Sequence, residues 1–171
     1  MSINAHAAAF YSDKKVGRFA KRTMQEMETS RFGRLQYADT ESIEFSKGLP
    51  GFETEREFVL VDRPESRPFL FLHSARTPAL CFVTVPVSLI VPGYGLELSA
   101  DDILTLQSVG SVGLDVLGIV CAAEGQPATV NLLGPVVINR MARRGLQTIR
   151  DDDRYLARHP ISKRDSGGAQ C

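Results

Sequence analysis

At 171 residues and 18.8 kDa, with 43% hydrophobic side chains, the chain has the length of one domain and enough apolar residues for a core of ordinary size. Its 20 basic residues balance its 20 acidic ones, and a net charge of zero excludes the broad positive field of a nonspecific nucleic-acid binder. Cys81, Cys121 and Cys171 cannot all pair, and the first two stand in apolar runs where a thiol packs as a small hydrophobe, so a reducing, cytoplasmic setting is expected.

The N-terminus lacks the basic start and apolar run of a secretory signal. Residues 1–30 hold five basic and three acidic groups and show no β alternation, so they read as a flexible N-terminal extension. From 31 to 139 the balance turns acidic, thirteen against seven, and from 140 to 162 it turns basic, six against three. The last residues, 162–171, end in a Gly-rich stretch and read as a disordered tail.

Between these ends, short β-like runs are punctuated by Pro and Gly. Candidate strands are Arg34–Tyr37, Ser42–Phe45, Phe58–Val61, Phe69–Leu72, Leu80–Val85, Val87–Val91, Leu114–Ala122, Ala128–Leu132, Val136–Asn139 and Leu146–Arg150. Spacing of about ten residues without long helices favours antiparallel pairing, and the expected fold is all-β, a small antiparallel barrel-like domain over 31–161. The uncharged stretch Thr77–Leu96 is long enough to span a bilayer as a helix, but Pro86, Pro92, Gly93 and Gly95 break it into two buried strands. No membrane association is expected. One short helix interrupts the strands: Ser99 is a good N-cap, Asp101 and Asp102 suit the positive end of its dipole, and Ile103 with Leu106 forms its apolar stripe.

Chemistry is sparse. His6, His73 and His159 are isolated and no Cys-x-x-Cys occurs, so neither a metal nor another cofactor is expected. No nucleophile elbow, P-loop or dinucleotide fingerprint is present. His73 beside Ser74 suggests a base and a nucleophile, but a strand-end histidine hydrogen-bonded near a turn explains it more simply. Cys81, between Leu80 and Phe82, has no neighbouring charge to activate it. Arg140, Arg143 and Arg144 crowd a turn, where they suit either a solvated hairpin tip or contact with phosphate or an acidic protein. Glu53, Glu55 and Glu57 read as ionised surface groups, more useful as a protein-docking patch than in acid and base work.

The sequence Phe45-Ser46-Lys47-Gly48-Leu49-Pro50-Gly51-Phe52-Glu53 resembles the opening signature of the flagellar assembly factor FliW family, an aromatic followed by G-[LI]-P-G-F-E. Further words follow in order: Pro68 to Ser74, Pro78 to Pro86, Pro92-Gly93-Tyr94, Val130 to Asn139, Gly145-x-Gln147 and Tyr155-x-x-Arg158-His159-Pro160. Departures from the pattern are His73 for Gln, Gly134 for Ala and Val85 for Asp. Most of these words have structural reasons. Gly48, Pro50 and Gly51 make a turn that sends Phe45 and Phe52 toward the core, with Leu49 between them. Asn131 and Asn139 bracket a strand interrupted by Pro135, a pattern suited to an edge or bulge where amides bond orphan backbone groups.

The resemblance implies a non-enzymatic factor with two partners, flagellin and the translational repressor CsrA. Free factor binds CsrA and relieves its repression of flagellin translation, until accumulating flagellin captures the factor. No direct nucleic-acid contact and a monomeric state are expected. The residues expected to meet CsrA are Glu53, Glu55 and Glu57, with Asp101 and Asp102 next. The alternative is a small β-barrel hydrolase using His73, or a ligand-binding barrel.

Overall fold

Alternating apolar positions from Ser42 onward fold into a ring of strands, and a hairpin from the preceding residues lies against its outside. The computed structural model describes residues 23–151 and 153–161. The strands are β1 (Met24–Thr29), β2 (Gly33–Ala38), β3 (Ser42–Glu44), β4 (Glu57–Asp62), β5 (Leu70–Ser74), β6 (Cys81–Pro86), β7 (Asp115–Cys121), β8 (Thr129–Asn139), β9 (Arg144–Gln147) and β10 (His159–Pro160). Neighbours run β8-β7-β6-β5-β4-β3-β9, and β9 returns to β8, which closes a seven-stranded barrel. Its pairings are antiparallel except at the seam, where Glu44 meets Arg144 in parallel. The expected all-β fold is present.

Phe45, Phe58, Leu72, Leu117, Val136 and Ile138 fill the barrel, each no more than 1% exposed. Phe45 and Phe58 meet edge to face at 5.0 Å, an arrangement the ring quadrupoles favour. Closure at the seam depends on Gly145, because a Cβ there would overlap the Phe45 ring. A second apolar cluster, Val85, Val87, Ile90, Val130 and Leu132, joins the barrel to the 91–94 turn and the segment ending at Ile161.

Five expectations change. Val87–Val91 is not a strand: Val87–Ile90 forms one helical turn, α1. Pro86 ends the β6 ladder, and Val87 and Ile90 are buried while Ser88 and Leu89 face out, the i, i+3 spacing of a helix. The runs 128–132 and 136–139 form one strand of 11 residues, β8. Pro135 is tolerated there because the ladder to β7 slips between Leu117 and Ile119, so its missing N–H falls at a bulge. Asn131 Oδ1 accepts the Gly134 N–H at 2.8 Å, and Gln147 Nε2 donates to the Gly134 carbonyl at 2.8 Å, so amide side chains do satisfy the backbone at this irregularity.

The extension boundary at residue 30 also moves, for it falls inside a hairpin: Met24–Thr29 pairs with Gly33–Ala38 over six residues. Met27 and Thr29 are buried. The rest of the extension, residues 1–22, and the tail, 162–171, lie outside the described residues. Removing residues 1–29 therefore takes away the strand that pairs with β2 and its buried Met27, and is expected to lower stability by roughly 2 kcal/mol, the scale of one lost buried apolar side chain. A urea titration of the truncated chain measures this. Finally, Phe52 does not join the core: it is 39% exposed and stands edge-on to Phe82 at 5.1 Å. Cys121 likewise is exposed, at the end of β7.

The expected helix, α2 (Ala100–Leu106), is present. Ser99 Oγ accepts the Asp102 N–H and Asp102 accepts the Ser99 N–H, each at 3.1 Å, a reciprocal cap. At its other end Asn139 Nδ2 donates to the carbonyls of Leu106 and Gln107, tying the helix to the end of β8.

Candidate functional site

The turn before β4 sets out the first acidic group. Gly48 (φ +70°) and Gly51 (φ +81°) adopt the left-handed region on either side of Pro50, and Leu49 between them is buried. The turn thus anchors itself by Leu49 and leaves Phe52 and Glu53 outside. Glu53 is exposed, and its Oε1 accepts the Gly51 N–H at 2.8 Å, which holds the carboxyl below its ordinary pKa.

Glu55 is half-buried and has structural work: it accepts from Ser74 Oγ and Thr77 Oγ1, each at 2.6 Å. Those two hydrogen bonds, Ser74 first, pull its pKa down. Because Ser74 Oγ also accepts the N–H groups of Arg76 and Thr77, Glu55 is the anchor of the β5–β6 turn. Glu53 and Glu55 share a shallow hollow of about 490 Å³ with Phe52, Thr77 and Leu80. An exposed aromatic ring beside the exposed carboxylate of Glu53 is suited to contact with another protein.

Glu57 lies elsewhere. On β4 it stands opposite Glu44, and with Tyr37, Asp39, Arg143 and Arg144 it lines a separate hollow of about 420 Å³. Burial, and then the Glu57 charge, push the Tyr37 phenol up. The three glutamates therefore do not form one patch. Asp101 is exposed at the start of α2, while Asp102 is occupied in the helix cap and also accepts from Thr148 Oγ1 at 3.4 Å. The five acidic residues occupy three places on the surface.

The arginine cluster resolves into individual partners. Arg140 pairs with Asp115, Arg144 with Glu44, and Arg143 donates to the Asp39 carbonyl at 3.2 Å. His73 departs from its expected role: it is 1% exposed and neither ring nitrogen has a hydrogen-bond partner among the described residues. An imidazole so enclosed cannot reach a substrate as a base. Cys81 is half-buried, and burial pushes its thiol up, which keeps it protonated and unreactive.

Sequence reasoning did not single out Arg150. Its side chain is 2% exposed and lies over the rings of Tyr94 (5.6 Å) and Tyr155 (4.9 Å), donates to the Gly95 carbonyl and reaches Glu97 at 3.2 Å. Tyr94 and Tyr155 each stand in a word of the same pattern, but only the fold brings them to Arg150.

The fold and surface together define a small closed β-barrel with an external hairpin, a class set by topology rather than by a catalytic cleft. The family model described as FliW protein matches residues 26–161. Relatives named flagellar assembly factor FliW include those of Caldanaerobacter subterraneus (33% identical, 80% of this chain and 92% of the relative), Shouchella clausii (36%; 84% and 99%) and Bacillus subtilis (30%; 85% and 99%). A crystal structure of the flagellar assembly factor FliW superposes with a TM-score of 0.74 at 31% identity, covering 81% of this chain and 99% of that one. The chain belongs to the FliW family of flagellar assembly factors. No helix among the described residues is long and apolar enough to cross a membrane.

Proposed function

We propose that this chain is a non-enzymatic cytoplasmic factor that binds the repressor CsrA, relieves its block on flagellin translation, and is captured by flagellin as flagellin accumulates. The observation that carries this reading is the family match over residues 26–161, with relatives that bear the name of assembly factors rather than enzymes. The acidic excess of residues 31–139 adds to it, since complementary charge steers association with a basic RNA-binding protein. Glu53 and Glu57 are the acidic groups best placed to supply that steering, with Asp101 next, while Glu55 holds its own turn.

If one small barrel exchanges two partners, each must weaken the other's binding, and the linkage is reciprocal. A swing from 99:1 to 1:99 needs about 5.5 kcal/mol of effective difference, part of which flagellin concentration supplies. The experiment titrates monomeric flagellin into a preformed complex of this chain with CsrA and follows both by size-exclusion chromatography. The expected result is release of CsrA with recovery of its RNA binding. A stable ternary complex at full occupancy overturns the exchange. In the same assay Glu53→Lys combined with Glu57→Lys is expected to slow CsrA association and flatten its salt dependence; unchanged affinity at low salt moves the contact to Asp101 and Asp102.

A further inference from the structure

His73 stands on the outer face of β5, opposite Val59 of β4 and Cys81 of β6. The β1–β2 hairpin covers it. Phe32 at the hairpin tip meets the Phe71 ring at 4.8 Å and the His73 ring at 5.7 Å, both edge to face. Arg31 lies over Phe71 at 4.9 Å, and Arg63, from the β4–β5 connection, lies over Phe32 at 5.2 Å. The Ser30 N–H donates to the Pro78 carbonyl at 3.0 Å and pins the tip to the β5–β6 turn. Beneath this cover Val59, Phe71 and His73 are each at most 5% exposed.

We propose that the hairpin is a proton-released flap: uptake of one proton by His73 lifts β1–β2 from the outer face of β4, β5 and β6 and uncovers Val59, Phe71 and His73. A buried imidazolium needs two acceptors for its two N–H groups, and the docked hairpin provides none. The charged groups around it make this worse. From the hairpin the positive charge of Arg31 acts on the ring, and Arg31 and Arg63 both lie over the Phe32 ring that covers it. From β6 it faces the Cys81 thiol, which burial keeps neutral. The nearby carboxylates are already engaged, Glu55 by Ser74 and Thr77, and Glu26 and Glu28 by Arg34 on the exposed side of the hairpin.

The sign follows from linkage. Burial first, and Arg31 second, hold the docked His73 below its ordinary pKa of 6.5, whereas a lifted hairpin returns it to water. Docking is therefore at full strength above about pH 6.5 and weakens below it, by about tenfold per pH unit until the docked pKa is reached.

The test is hydrogen–deuterium exchange of the full chain between about pH 7.5 and about pH 5.5, corrected for the intrinsic exchange rate and bracketing the ordinary histidine pKa. Protection of the amides of 24–38 is expected to be lower at the acid end of this range than at the neutral end, by at most about tenfold per pH unit below about 6.5, while β7 and β8 keep theirs. His73→Gln is expected to abolish that pH dependence, and Phe32→Ala to lower hairpin protection at both ends of the range. Hairpin protection that stays flat in the wild type, or that falls equally in His73→Gln, overturns the proposal. Should His73→Gln fail to fold, the imidazole NMR titration of the unmodified chain decides: a midpoint accompanied by movement of the hairpin amides supports the flap, and one without it rejects it.

Discussion

Gly48→Ala is expected to cost about 3 kcal/mol of folding stability, with the urea midpoint falling and the slope unchanged. Two effects add at this position. The left-handed φ of +70° costs a side-chain-bearing residue roughly 1–2 kcal/mol. A Cβ would also stand 2.6 Å from the Phe52 carbonyl oxygen and 2.7 Å from Glu53 Cα, backbone atoms that cannot rotate away, and overpacking of this kind costs about 1–3 kcal/mol. Gly51→Ala is the control: its φ of +81° is equally left-handed, but a Cβ there meets nothing within 4 Å. It is expected to lose only the conformational part, about 1 kcal/mol. Equal losses at the two glycines would show that the close backbone approach is not what fixes Gly48.

Arg150→Ala is expected to lower stability by about 3 kcal/mol and to loosen residues 153–161 before the barrel yields. The guanidinium lies over Tyr94 and Tyr155, donates to the Gly95 carbonyl and pairs with Glu97. A charge-assisted hydrogen bond contributes about 1.5–3 kcal/mol, and a desolvated cation over an aromatic ring about 2. The same knot is braced by Tyr94 Oη donating to the Leu132 carbonyl at 2.7 Å and by the Gly95 N–H donating to Tyr155 Oη at 3.0 Å. Arg150→Lys keeps the charge but not the flat fork, and is expected to recover less than half of the loss. Denaturant titration gives the magnitude, and amide exchange in β10 gives the order of opening. A full recovery by lysine would reduce the role of Arg150 to its charge.

Much of the barrel was legible because its strands obey one rule each. Runs such as Phe58–Val61 and Leu80–Val85 are mostly apolar and bounded by turn residues; the first lies within β4, and the second coincides with β6 from Cys81 on. The α2 start was legible because Ser99 and Asp102 cap each other locally, without help from the rest of the fold. What escaped depends on distant partners. β1 buries only Met27 and Thr29, too weak an alternation to announce a strand, and it exists because β2 and the barrel wall receive it. Val87–Ile90 has the composition of a strand, but Pro86 and the apolar cluster under α1 impose a turn of helix.

The acidic site was legible only in part for the same reason. Glu53, Glu55 and Glu57 alternate in sequence, yet a turn and a strand share that stretch, so regular spacing does not mean a common face. Glu55 was indistinguishable from its neighbours until Ser74 and Thr77, 19 and 22 residues away, came to it. Phe52 was read as core because its word is apolar. The chain reverses at Gly51, which leaves Leu49 inside and Phe52 against Phe82.

The parallel seam between Glu44 and Arg144 has a bearing on how the chain is made. Every other neighbour in the ring follows directly in the sequence, so those hairpins assemble as they leave the ribosome, while the seam must wait for a strand a hundred residues downstream. Until Gly145 slides past Phe45, the nascent protein is an open curved sheet whose two unpaired margins, β3 and β8, invite mispairing with any other strand. Ring closure of such long reach places folding toward the slow, millisecond-to-second end of the single-domain range. The period of greatest vulnerability to aggregation is thus the interval between the emergence of β8 and the closure of the seam by β9.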